Sequence, residues 1–158
     1  MQTVTYEEFL DFNPCWLKHK GGKERIKAYF DRFGGKMSAL DILNLDDVSA
    51  EDKLWSVLRE EFIPATILHE FACVCAEYAL TLIDNPDPRG VKAIEVKRAW
   101  IRGEATDEEL DAAKAARASA SGAAWTAAWA ASDAWAAAWD ATYEAQVVYL
   151  IMVLEEEK

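Results

Sequence analysis

Residues 112–145 read AAKAARASASGAAWTAAWAASDAWAAAWDATYEA, with 18 alanines in 34 positions and Trp125, Trp129, Trp135 and Trp139 set among them. Alanine loses no side-chain entropy in a helix and ranks first in helix propensity, so the stretch predicts one long α-helix. At about 100° per residue the four indoles fall within a sector of roughly 120°. Asp133, Asp140 and Glu144 cluster on a different sector, and the remaining face is alanine. Trp125, Trp129, Ser132, Ala136, Trp139 and Tyr143 follow the alternating four-three spacing of a coiled-coil seam, which if exposed would support a homodimer. Ser119, Ser121 and Gly122 are where a bend is expected. Exposed indoles can stack bases or sugars, but no Lys or Arg lies between Trp125 and Trp139, so core packing is expected for them.

Outward from this helix, helix start and stop signals recur and strands do not. Thr5 ahead of Glu7 and Glu8 predicts a helix to Phe12, ended by Pro14. Ile26, Tyr29, Phe30 and Phe33 share one helical face, and Gly34-Gly35 stops that helix. Residues 38–45 read as a short helical piece. Ser49 opens a capping box with Asp52 ahead of the apolar positions Leu54, Trp55 and Leu58. Pro64 fits the first turn of a long apolar helix reaching about Ile83. Asn85-Pro86-Asp87-Pro88 interrupts the chain, Pro88 starts a helix to Ile101, and Gly103 ends it. Thr106 and Glu109 form a second capping box ahead of the Ala-rich helix.

The 158 residues, 52% hydrophobic and 28% charged, suffice for one packed domain, and 4 Pro with 7 Gly are too few for a loop-rich or all-β chain. The expected fold is all-α: a single-domain bundle of about seven or eight helices around the long C-terminal helix. Locally basic N-terminal helices would occupy 1–36, core helices 37–84, and a further helical segment 85–158. Cys15, Cys73 and Cys75 contain no CxxC pair and argue against a disulfide framework. The start MQTVTYEEFLDF lacks the basic region of a signal peptide, and His69, Glu70 and Glu77 interrupt the apolar run 62–83. An acid near a bilayer centre costs about 2.5–3.5 kcal/mol, so a buried core helix is expected there, in a protein of the bacterial cytoplasm with no membrane partner.

Charge is lopsided, 28 acids against 17 bases for a net −11, which makes the chain as a whole a poor ligand for nucleic acid. Lys18, Lys20, Lys23, Arg25, Lys27, Arg32 and Lys36 against Glu24 and Asp31 nevertheless give a local +5, whereas the residues from Met37 onward sum to −13. Catalytic patterns are weak. His69 and Cys73 share a helical face beside Glu70, yet the zinc helix they resemble places a second His where Cys73 stands. Cys15 and His19 are one turn apart without an identifiable orienting group. Adjacent acids such as Glu60 and Glu61 do not face one another on a helix, and P-loop, GxGxxG and GxSxG patterns are absent. No cofactor, catalytic residue or metal is expected.

Phe71 to Asp111 carries Cys75-Ala76-Glu77, Asp87-Pro88-Arg89, Ala93-Ile94, Arg98-Ala99-Trp100 and Gly103-Glu104, followed by the Ala-rich helix. With these features about half of the chain resembles a group of all-helical bacterial and prophage proteins labelled immunity proteins. In size and acidity it is also similar to small phage inhibitors of bacterial defence, including anti-CRISPR proteins. These likenesses imply a protein-binding role and assign no binding residue. The expected function is a non-enzymatic acidic module of phage or mobile-element origin that inhibits a host nucleoprotein by occupying a basic surface. Asp46, Asp47, Glu51, Glu108, Glu109, Asp133, Asp140 and Glu144 are the candidate partner-binding acids. An antitoxin-like protein sequestering a toxin, a small metal-binding protein or enzyme using His69, Glu70 and Cys73, and a nucleic-acid binder using Lys18 to Lys36 are the alternatives.

Overall fold

Two short sequence cassettes organise the N-terminal part of the molecule. The structure, a computed structural model, describes residues 2–81, 85–116 and 132–157, with side chains for all of these but 132–142. In each cassette an apolar residue precedes Thr or Ser, and an acid follows three positions later: Val4-Thr5 with Glu8, and Met37-Ser38 with Asp41. Thr5 (φ −80°, ψ 167°) and Ser38 (φ −89°, ψ 170°) are extended, and both complete reciprocal capping boxes with their acids. An N-cap residue has strand-like dihedrals, so each of these two ends a strand and caps a helix at once. Strand β1 (Thr3–Thr5) passes directly into helix α1 (Tyr6–Asp11). After a 3-10 turn at Cys15–Lys18 and helix α2 (Gly22–Arg32), strand β2 (Lys36–Ser38) passes directly into α3 (Ala39–Leu43). The strands pair antiparallel with Val4 opposite Met37, both buried, which relates the two cassettes by a local twofold. The sequence signals predict the Thr5 cap and a short helix from residue 38 and miss this ribbon, because three-residue strands are too short to show alternation.

The chain continues through α4 (Ala50–Val57), α5 (Ala65–Thr81), α6 (Pro88–Ile101), α7 (residues 107–116) and α8 (Ser132–Glu156). Eight helices and one minimal ribbon among the described residues make the fold all-helical, as the alanine content and capping signals predict. Asp87 caps α6 with Pro88 in its first turn, as expected, whereas Pro64 stands just before α5 rather than inside it. The chain divides into two compact units: residues 1–68 with 138–158, and residues 69–137. The expected bend at Ser119, Ser121 and Gly122, and the side chains of Trp125, Trp129, Trp135 and Trp139, lie outside the described residues.

In the first unit Phe9 is fully buried and its ring meets those of Phe30 at 5.4 Å, Trp16 at 5.5 Å and Phe12 at 6.1 Å. Trp16 continues edge-on to Tyr29, and Phe12 to Phe62. Ile26, Tyr29 and Phe30 take the inward face of α2, as their spacing predicts. Helix α4 departs from expectation: Ala50, Leu54 and Val57 form its buried face, while Trp55 and Leu58 are exposed. The indole of Trp55 instead covers the Arg59 guanidinium, which lies 4.9 Å from it and 4.3 Å from the ring of Phe12 on the other side. The described part of α8 buries Val147, Leu150 and Leu154 at helical spacing and exposes Val148 and Met152.

Gly22 shows where backbone geometry is decisive. A Cβ added there would stand 1.9 Å from the carbonyl oxygen of Trp16, so α2 reaches the 3-10 turn only without a side chain. Helix-interior Gly→Ala ordinarily stabilises by about 1 kcal/mol; here Gly22→Ala is expected to destabilise by about 3 kcal/mol, because backbone cannot move aside. Gly21→Ala has open space but a left-handed backbone at φ +72°, and should cost about 1–2 kcal/mol. Phe9→Ala should cost about 3–5 kcal/mol. Urea unfolding followed by circular dichroism measures all three.

Candidate functional site

The candidate acids sit where helices begin. Asp46 and Asp47 lie in the turn before α4, Glu51 in its first turn, and Glu108 and Glu109 in the first turn of α7. Carboxylates at these positions stabilise the positive end of the helix dipole, and their side chains point to solvent. All five are exposed, and so is Glu144 on α8. None of the six forms an ion pair among the described residues. Two have intramolecular tasks: the Tyr29 hydroxyl donates to Asp47 at 2.6 Å, and Glu109 accepts from the Thr106 backbone at 2.8 Å. The Tyr29 hydrogen bond holds the Asp47 carboxyl below its ordinary value. Burial, and then the same hydrogen bond, push the Tyr29 phenol up to about 12. The side chains of Asp133 and Asp140 lie outside the described residues. Asp46, Asp47, Glu51 and Glu144 belong to the first unit, Glu108 and Glu109 to the second.

All three cysteines are free thiols. Cys15 donates its thiol hydrogen to Asp52, whose backbone oxygen accepts from Ser56 at 2.7 Å and from the Trp16 indole at 3.4 Å. Burial first, then the bond to Asp52, push the Cys15 thiol up to about 11, which removes the thiolate that a Cys15–His19 nucleophile would need. Burial alone takes Cys75 to about 11, and also raises Cys73. Nothing in the local sequence announces Asp52 as the partner of Cys15; the two meet only because the 3-10 turn packs against the start of α4.

In the second unit Arg98 of α6 reaches two acids of α5. Its Nη2 lies 2.7 Å from Glu70 and 2.9 Å from Glu77, and its Nη1 also bonds Glu77. Glu70 and Glu77 are two helical turns apart and present one face, so a single planar guanidinium spans both. His69 sets its ring edge against Trp100 at 5.3 Å, the Lys97 ammonium lies 3.8 Å over the same indole, and the Trp100 N–H donates to Asp107 at 2.7 Å. Glu70 is thus committed to Arg98, and Cys73 is buried. Among the described residues no group of three or more His, Cys, Asp or Glu is arranged to hold a metal ion, so His69, Glu70 and Cys73 are not brought together as ligands. A surface groove in the first unit is lined by Thr3, Val4, Glu8, Asp11, Phe12 and Glu61, and Glu8 there is occupied by its capping box. Among the described residues no helix is long and apolar enough to cross a membrane.

The raised thiols carry a pH prediction. Their folded values lie above the ordinary 9, so the stability they contribute is complete below pH 9 and is lost as pH climbs to about 11. At pH 8 the Cys15 thiolate is depleted roughly 100-fold relative to an ordinary thiol, so alkylation by iodoacetamide should be slow until urea unfolds the chain. Asp52→Asn should speed labelling of the Cys15 peptide severalfold while Cys75 stays slow, as mass spectrometry of the digest reads out. No protein family, no curated protein and no solved structure matches this chain, so its functional assignment rests on these side chains.

Proposed function

We propose that the chain is a non-enzymatic, acidic protein-binding module that inhibits a nucleic-acid-binding protein by occupying its basic surface. The observation that supports this most is the exposure of Asp46, Glu51, Glu108 and Glu144 with no ion-pair partner among the described residues. A carboxylate left unneutralised on a chain of net −11 attracts a cationic surface over a distance of about the screening length and speeds encounter. The committed state of Glu70 and the raised thiols favour binding over catalysis. Phage or mobile-element origin fits the small size and the inhibitory role.

Affinity capture from bacterial lysate at about 0.05 M and about 0.5 M salt tests the proposal. The wild-type chain should retain a nucleic-acid-binding protein at low salt and release it at high salt. Replacing Asp46, Glu51, Glu108 and Glu144 together by Lys should cut retention of that protein at least about tenfold, since each rim charge acts chiefly on association rate. Retention unchanged by the four replacements would defeat the reading.

A further inference from the structure

The seven cations of residues 18–36 play no part in an acidic docking face, and the structure exposes every one of them in the first unit. Helix α2 explains how. Gly22, Ile26, Tyr29 and Phe30 take its buried face, which leaves Lys23 and Lys27 on one flank, Arg25 and Arg32 on the other, and the exposed acids Glu24 and Asp31 between them. Lys18 and Lys20 precede the helix, and Lys36 opens β2. Of the seven, only Lys27 is held in an ion pair among the described residues, with Asp31 at 2.8 Å.

We infer that this surface binds the phosphate backbone of nucleic acid, independently of the acidic-face reading. Net charge opposes such binding only where the whole molecule is felt. At about 0.15 M salt the screening length is about 8 Å, whereas the 11 residues of α2 span about 16 Å. A phosphate beside α2 is therefore governed by the charges near it: the seven bases outnumber Glu24 and Asp31 of the helix itself, Glu7 near Lys27, Glu8 near Lys36 and Asp47 near Arg25 and Arg32, and the more distant acids are screened. At about 0.01 M salt the screening length grows to about 30 Å and the full −11 repels the polyanion. A phosphodiester chain suits this surface better than an acidic peptide does. Its charges are fixed to the backbone at every nucleotide, and they meet cations spread along a helix without ordering flexible Asp and Glu side chains.

Fluorescence anisotropy of a labelled mixed-sequence single strand, titrated with the full chain across salt, tests the inference. A duplex of the same sequence and a poly-glutamate peptide serve as the other probes. Affinity for the single strand should rise from about 0.01 M salt, peak below about 0.15 M, and fall beyond. Replacing Lys18, Lys20 and Lys23 together by Gln should lower affinity at the peak at least about tenfold and flatten the high-salt slope by about 2, at about 0.7 for each phosphate no longer neutralised. Arg25→Gln with Arg32→Gln is the second variant, and circular dichroism confirms that each variant keeps its helices. Absence of binding at every salt, an affinity highest at the lowest salt, poly-glutamate binding as tight as the oligonucleotide, or no loss in either variant would overturn it. Replacing Asp46, Glu51, Glu108 and Glu144 by Lys should leave oligonucleotide binding intact or strengthen it, so the two readings fail separately.

Discussion

The first unit closes on the ring of Phe9. It is the fully buried centre of an aromatic set drawn from α1, the 3-10 turn and α2, and Phe62 joins through Phe12. Aromatic pairs at these separations contribute about 0.5–1.5 kcal/mol each beyond the area they bury. Geometry matters as much as energy here. Trp16 can reach Phe9 only because the 3-10 turn presses its carbonyl against Gly22, and Phe30 can do so only because α2 starts there. The same placement turns the charged flanks of α2 outward, so the burial of Phe9 and the exposure of Arg25 and Arg32 are two sides of one packing decision.

Charge in this molecule is sorted by helix geometry. Acids gather in first turns and in the turns before them, where backbone N–H groups favour them, and the cations of residues 18–36 occupy the solvent faces of one helix and its approaches. The strongest ion pairing, Arg98 with Glu70 and Glu77, lies within the second unit and is half exposed. It links α5 to α6 and engages Glu70 in an ion pair. Among the described residues, Cys15 and Glu70 are thus engaged with Asp52 and Arg98, while Asp46, Glu51, Glu108 and Glu144 are exposed without an ion pair.

Much of the helical frame was legible in the chain. Thr5, Ser49 and Thr106 cap the helices they announce, although Ser49 gains only half of its expected box because the Asp52 carboxylate takes the Cys15 thiol, and the spacing of Ile26, Tyr29 and Phe30 reports the buried face of α2. The candidate site was legible only as exposure: Asp46, Glu51 and Glu108 are on the surface, as acids beside helix starts should be. Asp47 looks identical in sequence yet is held by Tyr29, and Trp55 looks like core yet lies outside against Arg59. Tyr29 is 18 residues from Asp47, beyond any local pattern, whereas Arg59 is only four residues from Trp55 and the exposure of that indole is set by how α4 packs.

By itself the sequence determined the all-helical class, most helix limits and the division into a basic stretch and an acidic remainder, because capping, propensity and net charge are local or additive properties. Only the tertiary structure decided that Thr5 and Ser38 end paired strands, that Cys15 meets Asp52, that Arg98 pairs with both Glu70 and Glu77, and that Gly22 must have no side chain. These depend on which surfaces meet. That choice is made by packing volume and hydrogen-bond satisfaction across long separations, which a linear pattern does not encode.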